Sequence, residues 1–340
     1  MEAISGATQP TWSPADYTVG WICLHPEDRL AATNFLDNRH KPKFVSRRDT
    51  NVYELGKIGG HNVVTTCLPE GGFDASGASA AFVAIGMLAS FPNIKIGLVT
   101  GIGGAEPSSK NDIKLGDVVV GAPLDVTCNE GVSQNELSEE MREQNFQKTS
   151  FAVQSSTLLR TAVDGLKAHY ETEGHQIEEA ISRVLKNRPR LKRQYGRPQS
   201  IGDELCESTV NLPLRTEELC FASCGNDVWM VVSRPEETQV EDKPEKTQVE
   251  DKISIHYGSL VPGGRVMKDA ILQDKPTGEN DVLCSDTAVA GLMKGFPCCV
   301  IRGICDDSGS DKKWHGYAAM AAAAVAKDLL NEIPPSGKED

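Results

Sequence analysis

The feature that most constrains this chain is an alternation: short, apolar, β-prone runs, each the length of one strand, are separated by segments with helix signals. Residues 17–24 (YTVGWICL) form the first run. Pro26-Glu27-Asp28 follows where a helix would begin, with proline tolerated and acids favoured in the first turn. Residues 51–68 alternate on both sides of Gly59-Gly60 and predict a hairpin. A small-residue helix is predicted over 76–90, then a buried-type strand over 94–100 and a turn feeding a strand over 112–121. Further strands are predicted at 253–261 (ISIHYGSLV), 281–284 and 298–304 (CCVIRGI), with a helix-like stretch at 287–294 and an Ala-rich helix at 316–330 covering the sheet. This order predicts an α/β fold with a central mixed β-sheet flanked by helices on both faces.

At 340 residues, core size is not limiting, since a fold of that length buries roughly three quarters of its unfolded surface. Hydrophobic residues at 39% and charged residues at 24% make a soluble, globular composition. The net charge of -13 opposes a nonspecific grip on polyphosphate, so nucleic acid is not an expected partner. The longest apolar stretches fall short of the roughly 20 residues that span a bilayer, and the N-terminal residues carry no secretory signature; no membrane partner and a cytoplasmic setting are expected. The 10 cysteines are too sparse for a disulfide scaffold, and Cys23, Cys67, Cys298 and Cys299 sit in apolar runs, where a free thiol behaves as a small hydrophobe. Cys206, Cys220 and Cys224 lack the paired short spacings of a zinc site, and no metal is expected.

Residues 1–16 read as a loose tail, 17–332 as one domain and 333–340 as a second tail. From 128 to 252 the chain turns polar and mostly aperiodic, with helices expected at 155–170 and 177–187, and this stretch reads as an elaborated insertion. Within it PEETQVEDK is followed directly by PEKTQVEDK. Two copies are too few for a solenoid, and their acidic, apolar-poor composition reads as a duplicated loop.

Two places carry candidate chemistry. Gly101-Ile102-Gly103-Gly104 follows a predicted strand, where glycines let backbone amides approach a ligand; a plain tight turn is the alternative, and the dinucleotide fingerprint fails because Glu106 stands where its third glycine belongs. Asp306 follows the buried-type strand CCVIRGI at its carboxyl end, where open α/β sheets place ligands. A helix cap or loop carboxylate is the alternative there.

Several motifs in order give a resemblance: VGWIC at 19–23, GKIGGHNVV at 56–64, GIGG with DIKLGDVVV within 101–120, IHYG and VMKD within 255–269, AGLM with FPCCVIRGICD within 290–306, and WHGYAA at 314–319. Together they resemble the fungal branch of the purine and uridine (nucleoside) phosphorylase superfamily, over residues 17–332 apart from the middle insertion. That branch often forms the N-terminal module of larger signalling proteins. The resemblance implies a three-layer α/β fold that cleaves the N-glycosidic bond of a nucleoside, with inorganic phosphate or water as co-substrate and no other cofactor. Asp306 would be the acid on the base side, and Asp28 falls where nucleosidases of the superfamily carry a glutamate that orients water or ribose. Gly101, Ile102, Gly103 and Gly104 would line the acceptor and sugar pocket.

The departures from that pattern matter equally. Where the family writes a Met-Glu pair that grips the ribose, this chain has Thr287-Ala288 after Asp286. A charged hydrogen bond to a hydroxyl is worth about 1.5–3 kcal/mol, so its loss would cost roughly 10- to 150-fold unless Asp286 substitutes. A family turn of Ser-Gly followed by Asn or Asp reads Pro262-Gly263-Gly264, leaving Gly264 at a ligand position, and Gly309 replaces a second acid after Asp306. The arginine that phosphorylases place before the glycine loop is absent; Arg47, Arg48 and Arg265 read as surface residues, and the acceptor tilts towards water. Two readings stand: a nucleoside-cleaving enzyme, and a catalytically inactive nucleoside-binding or interaction module of the same fold. A homo-oligomer is compatible with both.

Overall fold

The computed structural model describes residues 12–41, 46, 49–69, 77–104, 113–121, 150–198, 253–261, 282–285, 292, 296, 298–305 and 312–335. Its centre is an eight-stranded mixed sheet in the order β2-β3-β4-β1-β5-β10-β6-β7. These strands are β1 (Val19–Cys23), β2 (Asn38–His40), β3 (Glu54–Ile58), β4 (His61–Cys67), β5 (Ile96–Gly103), β6 (Val118–Gly121), β7 (Ile255–Tyr257) and β10 (Cys298–Ile304). Strands β4, β1, β5 and β10 run parallel to one another, β3 and β6 are antiparallel to their neighbours β4 and β10, and the hairpin β3–β4 turns at Gly59, whose φ is 55°.

Alternate side chains of each strand enter opposite cores, as the two-residue period of a strand requires. On one face Val19, Trp21 and Cys23 of β1 meet Ile96 and Leu98 of β5 and Cys299 and Ile301 of β10. On the other, Ile22, Val99, Cys298 and Val300 pack against Ala80, Val83, Ala84 and Met87 of helix α2 (Gly77–Ser90). The first face is covered by α1 (Pro26–Asn34) and α6 (Lys313–Glu332), so the fold is three-layered α/β with a central mixed sheet.

Helix α6 is buried almost all round, because α3 (Ser150–Glu173), α4 (Ile177–Asn187) and α5 (Lys192–Tyr195) pack on its far side. Its alanines permit a very close approach to the sheet: a Cβ on Gly303 would lie 2.0 Å from the carbonyl oxygen of Ala318. Within the stretch read as an insertion, residues 150–198 therefore contribute core, with Leu159, Leu166, Ile177 and Ile181 buried. The apolar spacing of α4 was visible in the sequence; what it covers is another helix, which composition does not reveal.

Other differences are local. The expected strand over 253–261 divides at Gly258: β7 joins the central sheet, while β8 (Ser259–Val261) pairs in parallel with β9 (Val282–Ser285) in a separate two-stranded sheet. The short polar strand β2 carried no apolar pattern and was not anticipated. Residues 12–16, assigned to a tail, are tied to the fold by stacking of Trp12 on His40 and by Asn93, whose side chain donates to Ala15 O. Ile333, assigned to the second tail, is buried, and its carbonyl accepts from Nε2 of the buried His61 at 2.8 Å. The tandem repeat and Cys206, Cys220 and Cys224 lie outside the described residues. No helix among the described residues is long and apolar enough to cross a membrane.

Candidate active site at the carboxyl ends of β1, β5 and β10

The chain leaves β1 towards β4 on one side and leaves β5 towards the other, so the carboxyl ends of β1 and β5 flank the kind of crevice where open α/β sheets hold ligands. Three segments converge there. After Cys23, Leu24 continues the pairing by donating from N to Thr100 O, and His25 then caps α1. Strand β5 runs through Thr100 to Gly103, and β10 brings Arg302, Gly303 and Ile304 alongside Gly101, Ile102 and Gly103.

Asp28 sits in the first turn of α1 and is 1% exposed. Its Oδ2 accepts from the backbone N of His25 at 2.9 Å and from His25 Nδ1 at 3.2 Å. Its Oδ1 is buried and has no hydrogen-bond partner among the described residues. A second buried carboxylate, Asp117, adjoins the end of β10 through its backbone carbonyl, which accepts from Ile304 N. Both of its carboxylate oxygens are engaged: Oδ1 accepts from Ser254 N, and Oδ2 from Lys114 N and His256 Nε2. Asp117 thus works as an anchor for neighbouring chain segments, whereas Asp28 retains an oxygen able to accept from a ligand.

The glycine stretch is not the tight turn that stood as the alternative reading: Gly101 and Gly103 belong to β5 itself, and among the described residues the positive φ values fall at Gly59, Gly116 and Gly174. Gly101 is required for another reason: its missing Cβ would lie 1.9 Å from Nη1 of Arg302. The guanidinium of Arg302, a residue 1% exposed, passes over the glycine at this end of the sheet. Ile102, Gly103 and Gly104 are partly exposed beyond it.

Arg302 and His25 are the residues the sequence reading missed. The signal for Arg302 was available as one cation in the otherwise apolar run CCVIRGI; that for His25 was its spacing of three from Asp28 across a helix start. The hydrogen bond to Asp28 raises the His25 pKa above its ordinary value, helped by the charges of Asp28 and Glu27 and opposed by burial and by Arg302. Burial, followed by the charge of Asp28, pushes the Cys23 thiol well above its ordinary value, so it is not a nucleophile at neutral pH. Thr100 is committed to packing: its Oγ1 accepts from Trp21 Nε1 at 2.8 Å and donates to Cys23 Sγ at 3.7 Å.

Of the residues singled out in the sequence, Asp28 lies on α1, which follows β1, and Gly101, Ile102 and Gly103 lie on the neighbouring strand β5, with Gly104 directly after it. Asp306, Gly264, Asp286, Thr287 and Ala288, and also Arg47, Arg48 and Arg265, lie outside the described residues. Among the described residues no group of three or more His, Cys, Asp or Glu is placed to hold a metal ion.

No family model matches the chain. A nucleotide-binding leucine-rich repeat (NLR)-like protein of Hyaloscypha variabilis is 36% identical over 334 residues, which are 97% of this chain and 31% of that protein; the chain thus spans under a third of its relative's length. Among solved structures, futalosine hydrolase of Helicobacter pylori aligns with a TM-score of 0.46 at 11% identity, covering 93% of this chain and 98% of that one. A 5'-methylthioadenosine/S-adenosylhomocysteine nucleosidase of Borrelia burgdorferi, bound to adenine, aligns with a TM-score of 0.47 at 14% identity, covering 92% and 99%.

Proposed function

We propose that the protein binds a nucleoside at the carboxyl ends of β1, β5 and β10 and cleaves its N-glycosidic bond, with water as the acceptor. The observation that carries this reading is Asp28: a carboxylate 1% exposed at the crevice, with one oxygen held by two donors and the other without a partner among the described residues. An acceptor buried in that way costs about 1–3 kcal/mol unless a ligand or water meets it, and ribose hydroxyls and water are suitable donors.

The chemistry follows from charge. As the bond to the base lengthens, the ribose becomes oxocarbenium-like and the base gains negative charge. Asp28 would stabilise the cationic sugar and take a proton from the attacking water as its oxygen bonds to the anomeric carbon. Asp306, the residue following Cys305, would deliver a proton to the departing base. The products are free base and free ribose, and the two carboxyl groups exchange their protonation states before the next turnover. Arg302 would add a fixed positive charge that orients the water or the ribose oxygens.

A second reading, a module that binds a nucleoside without turning it over, is favoured by Thr287-Ala288 in place of the family's Met-Glu pair. The experiment is to incubate the full chain with adenosine, inosine, guanosine, uridine and methylthioadenosine, with and without phosphate, and follow free base. Release independent of phosphate supports the hydrolytic reading. Calorimetric binding without release supports the module, and neither binding nor release rejects both.

A further inference from the structure

We propose that His25 is a positioning residue for Asp28, fixing the carboxylate so that Oδ1 alone is presented to the ligand; this rests on the functional reading above. A carboxylate on a short side chain can turn about its last bond and exchange its two oxygens. Here both donors, the backbone N–H and the ring Nδ1–H of one residue, act on the same oxygen, Oδ2. Because an ionised carboxylate only accepts, Nδ1 carries the proton in this pair. Oδ1 is left without a partner among the described residues. The arrangement is built by local sequence: His25 has an extended backbone as the cap of α1, Pro26 opens the helix, and Asp28 in its first turn reaches back to the cap.

The ring is half exposed, so its proton can exchange with solvent, while the carboxylate it holds is buried. The charges that bear on His25 are those of Asp28 and Glu27 on α1 and of Arg302 on β10. Asp28 in turn faces the Cys23 thiol of β1 and the Tyr195 phenol of α5, both of whose pKa values it helps to raise. Asp28 and Glu27 favour the imidazolium, and Arg302 opposes it. Protonated His25 makes the stronger, charge-assisted contact, and neutral His25 keeps a weaker one through the same atom. The orientation of Asp28 therefore loosens as the ring loses its proton.

The test has two arms on the full chain. In the first, the His25 ring is titrated by NMR, its signal being assigned by its disappearance in His25→Asn, and compared with the same signal in Asp28→Asn. The expected result is a lower midpoint when the carboxylate charge is removed. An unchanged midpoint overturns the pairing whether or not the protein turns over a nucleoside. In the second, kcat/KM for adenosine, inosine, guanosine and uridine is measured against pH, or the calorimetric Kd if nothing is cleaved. His25→Ala is expected to lose about tenfold, whereas His25→Asn, which keeps a donor near the Nδ1 position, restores most of that loss and abolishes the pH limb. His25→Ala equal to wild type, or His25→Asn as poor as His25→Ala, overturns the positioning role. Wild-type chain that neither binds nor cleaves defeats the functional reading and with it the second arm's role for Oδ1, while the titration still decides the His25–Asp28 pair.

Discussion

Gly101 lies directly under the guanidinium of Arg302: the two residues are register partners on β5 and β10, and a Cβ on the glycine would come 1.9 Å from Nη1. The absent Cβ leaves the space that the Arg302 guanidinium occupies at the carboxyl ends of the two strands. Gly101→Ala is expected to displace it, destabilising the fold by about 1–3 kcal/mol and weakening the proposed nucleoside binding together with stability. Urea unfolding and calorimetry check both, and an unaltered variant would mean that Arg302 has room to move without consequence.

Gly303 faces a harder obstacle. Its missing Cβ would lie 2.0 Å from the carbonyl oxygen of Ala318, which is backbone in a helix buried between the sheet and the outer helices. Gly303→Ala is expected to destabilise more than Gly101→Ala, by about 3 kcal/mol or more, because α6 must move as a body where an arginine tip can rotate. Thermal unfolding of the two variants side by side checks the order.

The pairing of His25 with Asp28 sets a sign for stability against pH. The His25 pKa is raised in the folded state, so its contribution is fully present below the ordinary histidine value and is lost as pH rises through the raised one. The stability difference between wild type and His25→Ala is therefore expected to be larger near pH 5.5 than near pH 8.5. Urea titrations at both pH values check this; a difference that grows towards alkaline pH would contradict it.

Much of the fold was legible because its strands are buried on both faces. The runs at 17–24 and 298–304 are apolar enough to mark β1 and β10, and Pro26 marks the start of α1 to the residue. What could not be read were features set by neighbours. β2 is polar and exists because β3 offers it an edge, and the run at 253–261 is divided between two sheets at a glycine that hydropathy does not flag. The helices at 150–198 looked peripheral because charged residues dominate their exposed faces, yet their apolar positions close the far side of α6. At the candidate site, Asp28 was singled out through motif position, whereas Arg302 was hidden inside a strand motif and Gly101 was read as part of a ligand-lining glycine stretch. The room it leaves for an arginine depends on β5 and β10 pairing across some two hundred intervening residues.

The most direct measurement is free-base release from the nucleoside panel by wild type and Asp28→Asn under identical conditions without phosphate. Asn preserves the shape and can still accept one hydrogen bond, but it carries no charge to oppose the cationic ribose and cannot take a proton from water. Release by wild type, and a loss of about 10²- to 10⁴-fold in Asp28→Asn with the fold intact, is the expected result if Asp28 acts as proposed. Equal release by the two proteins would contradict that role, since Asp28 would then do no more than hold the cap residue His25 at the start of α1.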